Sequence, residues 1–372
     1  MKRDLSFLKV IFVGQFPPPV NGLTYITSRL AVALAQAGYE LTVIKTTGPP
    51  GSRSILFHVL RILKVTRALL SIALSALSAS PRICYFTAEG GLGLIYSVMF
   101  AGCARLFRLR IYIHHHSFSY IVRRLSLMNL LISWCGSDAV HICLCPAMAQ
   151  ALANRYRRDI RSIVLSNAAF VDAAASEVPA IRRKELRIGL LSNLTADKGL
   201  HEFLGIVRSA RQRLLPIRAI LAGPMVRDAD KAAFQAAKQT LGDYLEYRGP
   251  VYNEEKARFF RDIDVFVFLT TYPNEAQPTV LFEAMANGIP VISYDRGCIR
   301  SQVGDGGYVF HQEVDIIAEA LRVLERYCEQ PECLAAERRA ALSQFDRERR
   351  LGEERTARLF ELTPTETVSH RS

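Results

Sequence analysis

Between Asp264 and Ile292 the sequence passes from a short apolar run through a polar loop into a helix and out to a second apolar run. Few architectures accommodate that succession. Asp264–Thr270 (Asp-Val-Phe-Val-Phe-Leu-Thr) is β-branched and aromatic without alternation, the pattern of a strand buried on both faces in a parallel sheet. Two carboxylates, Glu275 and Glu283, bracket the loop that follows, and Pro278 is expected at the first helical position, where its missing N–H would be unpaired anyway. Ala284-Met285-Ala286 continues the helix, Gly288 ends it, and Pro290-Val291-Ile292-Ser293 opens the next strand. Strand, loop and helix tip in that order point free backbone N–H groups and a positive dipole end at whatever lies above the loop, which suits a phosphate. Glu283, one turn inside the helix, and Glu275, on the loop, then stand on either side of that phosphate. A nucleotide sugar offers a ribose and a hexose across a diphosphate. A solvated loop carboxylate and a helix that favours acids near its start would read the same way locally.

The chain of 372 residues is too long for one ordinary core and fits two domains. Half its residues are apolar and 22% are charged, which excludes a disordered chain. Charge is uneven: residues 1–165 carry 19 Lys or Arg against 5 Asp or Glu, and the remainder 28 against 30. A basic half beside a near-neutral half suggests an anionic partner, a membrane surface or a nucleic acid. Nucleic acid is disfavoured, because no binding motif or aromatic stacking platform accompanies the charge. The eight cysteines lack metal spacing, and Cys143-x-Cys145 has no second pair to complete a tetrahedral site. They are expected to be reduced thiols, with no metal bound. Met1-Lys2-Arg3-Asp4 leads into a strand without a cleavage site, and the charge-free run Ala68–Pro81 is too short to span a bilayer. A cytoplasmic location is expected.

Leu8–Gly14 reads as a first strand, followed by Gln-Phe-Pro-Pro-Pro-Val-Asn-Gly, a rigid turn ending in Asn21-Gly22, a pair that tolerates unusual dihedrals. A helix over Thr24–Ala37 and a strand over Tyr39–Lys45 complete a Rossmann-like start, without the Gly-x-Gly-x-x-Gly of a dinucleotide site. Ser54–Ser78 is predicted to be an amphipathic helix in which His58, Arg61, Lys64 and Arg67 run beside Leu56, Leu60, Leu63, Leu70 and Leu74. It fits an interfacial helix on an anionic leaflet, or a core-facing helix with a solvated basic edge. The strand Arg110–Ile113 runs into His114-His115-His116, and strand C-terminal ends in open α/β sheets face the ligand crevice. Adjacent strand residues diverge, which disfavours a metal cluster; satisfied core histidines are the other alternative. After a hinge expected within Asp172–Glu185, the strand Leu186–Leu191 restarts the pattern and leads to Lys198-Gly199, an ammonium suited to phosphate oxygens beside a residue that lets the backbone approach. Gly297–Gly307 is expected to complete the sheet, and Gln344–Leu362 to form a helix crossing back to the first domain.

Glu-x7-Glu ahead of Ala-Met-Ala-x-Gly-x-Pro-Val resembles the signature of glycosyltransferase family 4, retaining enzymes of the GT-B fold. The resemblance is specific over residues 186–310 and looser before them. It implies an α/β chain of two Rossmann-like domains whose parallel sheets face a central cleft: residues 1–178 for the acceptor, 179–345 for the nucleotide sugar, a returning helix at 346–362 and a frayed tail at 363–372. Under it, Lys198, Gln277, Pro278, Thr279 and Val280 would hold the donor diphosphate without a metal or cofactor. Glu283 would bind the ribose, Glu275 the distal hydroxyls of the transferred sugar, and Val251 would flank the base. His116, with His114 beside it, matches a family histidine that contacts the transferred sugar, where a neutral imidazole can donate to a hydroxyl. Asn21 and Gly22 fall in the family's first loop, and Gly297 in a turn near the sugar. Asn193 stands where many members have an Arg, and Ser301 where an acid is more usual. The implied partners are a nucleotide-sugar donor, a glycan or lipid-linked acceptor, and an anionic membrane surface on which the protein would sit peripherally. A sugar-nucleotide epimerase of the same architecture, or a non-catalytic membrane-associated module, would show many of the same features.

Overall fold

A computed structural model describes residues 8–47, 55–78, 83–173 and 184–362. Among them the chain forms two units, the first running to Phe170 and resuming at Arg350, the second spanning Val171–Arg349. In the first, β1 (Lys9–Gly14), β2 (Glu40–Lys45), β3 (Ile83–Ala88), β4 (Arg110–His115), β5 (Val140–Cys143) and β6 (Ser162–Val164) pair in parallel in the order β2-β1-β3-β4-β5-β6. The connecting helices are α1 (Gly22–Gln36), α2 (Ile55–Ser78), α3 (Leu94–Leu106), α4 (Ser119–Val122), α5 (Ser126–Cys135) and α6 (Pro146–Tyr156). Right-handed crossovers place α1 on one face of the sheet and α2, α3 and α5 on the other. Every residue of β3 is buried, as expected of a strand covered on both sides. On the α1 face Phe12 stacks on Tyr85 with ring centroids 4.3 Å apart, and Tyr39 and Tyr112 each meet Phe360 edge-on at 5.2 and 4.9 Å.

The second unit repeats the plan. Its strands β7 (Leu186–Leu191), β8 (Ile217–Ala222), β9 (Leu245–Tyr247), β10 (Val265–Phe268), β11 (Val291–Tyr294) and β12 (Gly307–Phe310) are ordered β12-β11-β10-β7-β8-β9, again parallel. Its helices are α7 (Leu200–Gln212), α8 (Asp228–Leu241), α9 (Asn253–Asp262), α10 (Thr279–Ala286), α11 (Ile299–Val303) and α12 (Ile316–Glu329). The last helix, α13 (Pro331–Ala357), begins in the second unit and ends in the first.

Several sequence expectations are corrected here. The stretch from Gly297 to Gly307 does not simply extend the sheet: it contains α11, and the strand comes after it, because positive-φ turns at Gly304 and Gly307 break the chain first. The final helix starts at Pro331 rather than Gln344, since Pro331 fits a first helical position and the residues after it are good helix formers. His114 and His115 belong to β4 itself. In α2 the inward side is Val65, Ala68 and Ile72, whereas Leu60, Leu63, Leu70 and Leu74 point outward; the leucine stripe does not face the core. The hinge expected at 172–185 lies mostly outside the described residues, as do the tail at 363–372 and the side chains of Leu56 and His58.

Candidate functional site

In the second sheet the chain leaves β7 in both directions, through β8 and β9 on one side and β10 to β12 on the other. The loops after β7 and β10 therefore part at a topological switch point, the place where open α/β sheets take their ligands. The β7 loop ends in a single 3-10 turn at Ala196–Lys198, and Gly199 closes it with φ +86°. A Cβ there would fall 2.6 Å from the Leu269 carbonyl oxygen, so only glycine lets this loop lie against the end of β10. That approach puts Lys198 Nζ 2.5 Å from Glu275 Oε2 and 4.4 Å from the centroid of the Tyr272 ring. Thr270 Oγ1 donates to the same carboxylate oxygen at 3.2 Å, and Thr271 N–H donates to the Asp197 carbonyl at 3.0 Å. Gly199→Ala is expected to destabilise the second unit by about 1–3 kcal/mol through backbone strain. A urea midpoint equal to wild type would refute the close-approach argument.

The β10 loop enters α10 with Pro278 as the capping residue (φ −65°, ψ 124°) and Thr279 as the first helical one, a one-residue correction that follows from the extended ψ of Pro278. The Pro278 carbonyl accepts from Gln302 Nε2 at 2.8 Å, which fixes the helix tip. Gln277 is buried, while Pro278, Thr279 and Val280 are half-exposed at that tip. Gly297 (φ +59°) supports the loop from behind: a Cβ would lie 2.5 Å from the Glu275 carbonyl oxygen, and Cys298 N–H donates to the Ala276 carbonyl at 2.7 Å. Glu283 is held by Lys256 of α9, whose Nζ lies 2.7 and 2.6 Å from its two oxygens. Val251 is buried just before Tyr252, the capping residue of α9, so the segment assigned to the base leads directly to the helix that grips Glu283. Asn193 is exposed on the β7 loop and brings no charge. Arg227, on the loop after β8, reaches Asp197 at 3.3 Å.

In the first unit, chain order reverses between β1 and β3. At that switch point Gln15 Nε2 donates to Glu89 Oε1 at 3.1 Å, and Arg61 of α2 pairs with the other carboxylate oxygen. Burial pushes the Glu89 carboxyl up, opposed by Arg61 and Gln15. Asn21 is the capping residue of α1: its side chain accepts from Thr24 N–H at 3.0 Å while Thr24 Oγ1 accepts from Asn21 N–H at 2.9 Å. This reciprocal cap, with extended backbone at Asn21 and Gly22 already helical, replaces the unusual dihedrals expected of the pair. Space around Gly22 is open.

The histidines divide by strand face. His114 Nδ1 lies 2.8 Å from the Tyr85 hydroxyl, and its ring is 4.0 Å from that of His116. His115 points the other way, with Nδ1 3.0 Å from Tyr120 Oη and Nε2 2.9 Å from His141 Nδ1. Burial holds His114 and His115 well below the usual histidine range and lowers His116 and His141 to about 4. His114 and His116 are therefore neutral near pH 7, and neither Nε2 has a hydrogen-bond partner among the described residues. No group of three or more metal-binding side chains is found among those residues. Sequence reasoning missed Thr270, Tyr272, Lys256, Gln15 and Glu89; of these only Glu89 carried a signal, as an acid directly after a buried strand.

Residues 172–344 match the family model for glycosyl transferases group 1. No curated protein matches the sequence. Among solved structures, Anabaena HepE in complex with UDP aligns with a TM-score of 0.70 at 16% identity, over 95% of this chain and 100% of that one. Sucrose-phosphate synthase from Thermosynechococcus elongatus aligns at 0.71 and 12% identity, over 95% and 98%. The lipopolysaccharide outer core galactosyltransferase WaaB, in its apo form, aligns at 0.69 and 16%, over 95% and 100%. Residues 172–344 are similar to group 1 glycosyl transferases, and the chain has the two-sheet GT-B fold of these solved structures.

Proposed function

We propose that the protein is a retaining, family 4 glycosyltransferase that moves a hexosyl unit from a nucleoside-diphosphate sugar to a hydroxyl of a glycan or lipid-linked glycan, in the synthesis of a bacterial surface polysaccharide. The observation that carries this reading is the meeting of Lys198 and Glu275 at the switch point of the second sheet, beside the half-exposed tip of α10. Lys198 and the backbone from Gln277 through Pro278 and Thr279 to Val280, at the entry to α10, take the charge of the leaving diphosphate, so the reaction runs without a metal or cofactor. Glu275 Oε2 is engaged by Lys198 and Thr270, leaving Oε1 for the distal hydroxyls of the sugar. Glu283, oriented by Lys256, binds the ribose, Val251 flanks the base, and Gly297 keeps the Glu275 loop in place. His116, with His114 behind it, donates from a neutral imidazole to the transferred sugar. Asn21 and Gly22 border the acceptor, and Asn193 lies beside the diphosphate.

Crystals of HepE hold UDP in one case and UDP-glucose in another, which makes UDP-sugars the first donors to try. The protein works at the inner face of the cytoplasmic membrane, where a lipid-linked acceptor would be presented. A thermal-shift panel of UDP-, GDP-, ADP- and dTDP-sugars tests the donor site: a true donor at a hundred times its Kd adds about 2.7 kcal/mol of stability. One nucleotide class should raise the melting temperature of wild type and fail to raise that of Lys198→Ala. Silence across the whole panel would rule the site out.

A further inference from the structure

We propose that the outer surface of α2, α3 and α5 is a docking face for an anionic lipid bilayer. The three helices lie side by side: Cys103 Sγ of α3 reaches the Leu69 carbonyl of α2, and Arg105 Nη1 of α3 reaches the Trp134 carbonyl of α5. Gly102 lets α3 and α5 close up, since the Trp134 ring occupies the space a Cβ would fill. Outward-facing helix surfaces are ordinarily polar, and α6 follows that rule with Gln150 and Asn154 exposed and hydrogen-bonded to each other. The other three reverse it. Leu70, Leu74 and Leu77 stand exposed on α2 (59%, 56% and 72%), Met99 and Leu106 on α3 (42% and 78%), and Trp134 on α5 (48%). In the second unit, large exposed apolar side chains such as Leu214, Val226 and Tyr252 are isolated on loops, so the reversal is not a demand of the fold.

Charge selects the occupant. None of α2, α3 and α5 contains an Asp or Glu, while Arg67 and Arg105 are exposed among the leucines and Lys64, bonded to the Thr47 carbonyl at 2.7 Å, stands at their edge. A second copy of this surface would set those cations against their like. Lipid phosphates would neutralise them while the leucines entered the acyl boundary and the indole settled at headgroup depth. Among the described residues no helix is long and apolar enough to cross a membrane, so the contact is with the surface of the bilayer. The proposal gives the membrane partner of the reading above a specific face, and rests on that reading only for its purpose.

Trp134 is the one tryptophan in the chain and reports the contact directly. The full-length protein, titrated with vesicles of equimolar phosphatidylglycerol and phosphatidylcholine, should show a blue-shifted emission that brominated acyl chains quench. Pure phosphatidylcholine should not produce it, and high salt should weaken it. Leu70→Glu combined with Leu77→Glu changes only exposed positions and is expected to lower partitioning on the order of tenfold or more, whereas Leu214→Glu in the second unit leaves it unchanged. Absence of the shift with anionic vesicles overturns the proposal, as does a double variant that binds like wild type or a face found buried in a concentration-dependent dimer. Donor-induced thermal shifts are read separately, so failure here would leave the donor site standing.

Discussion

Lys198→Ala is expected to lower glycosyl transfer by about 10²–10³-fold at saturating donor, the range for removing one preorganised group that stabilises developing charge. Two effects combine. The leaving diphosphate loses its ammonium, and Glu275, largely buried and paired with Lys198 at 2.5 Å, is left with Thr270 and backbone as neighbours. A carboxylate without its cation would then oppose the diphosphate it had helped to frame. Glu275→Gln keeps a hydrogen-bonding oxygen and removes the charge, so the two substitutions should be strongly non-additive in a double-mutant cycle. Steady-state kinetics with varied donor provide the check. Undiminished turnover in Lys198→Ala, in a protein that folds normally, would remove Lys198 from the chemistry.

Acidification is expected to unfold the first unit well before the second. His114, His115, His116 and His141 are held uncharged in the folded state, the last two with pKa values of about 4. Unfolded, each titrates near 6.5. The folded values lie below the unfolded ones, so the stabilisation is fully present above about pH 6.5 and disappears as pH falls toward 4. Well below 6.5, each histidine removes about 1.4 kcal/mol per pH unit and the four together about 5, comparable with the whole stability of a typical domain. Glu89, raised by burial, opposes this with a single group. Both described histidines of the second unit, His201 and His311, are exposed. Calorimetry at pH 7.5 and 5.5 should therefore show one transition dropping steeply and the other nearly fixed. Parallel movement of both, or none, would contradict the burial argument.

The loops that carry Lys198 and Glu275 were legible because each is set by local sequence, but the ion pair between them, 77 residues apart, was not. A lysine followed by a glycine after a buried strand, and a carboxylate on the loop after another, are each placed by a few neighbouring residues, and the sheet order does the rest. Lys256–Glu283 was not legible, since nothing in either helix announces that α9 and α10 meet. Gln15 and Glu89 are 74 residues apart and come together only because β1 and β3 are neighbours. Asn21 shows the opposite failure: its place beside Gly22 suggested a rigid turn with unusual dihedrals, while Thr24 three residues on had already offered the reciprocal cap. In α2, periodicity revealed a leucine stripe but could not say which side was inward, because Val65, Ala68 and Ile72 form a second apolar stripe opposite it. Only packing against the sheet decides between two such faces.

The place of Phe360 among Tyr39 and Tyr112 also bears on the order in which the protein can be made. The Tyr112 hydroxyl bonds the Phe360 carbonyl across 248 residues of intervening chain. A ribosome delivers the amino-terminal half first, yet that half completes its interior only after Phe360 has been made. Nascent chains would thus carry an unfinished first unit while the second is already able to close, and truncation just before Phe360 would injure the unit that was made first.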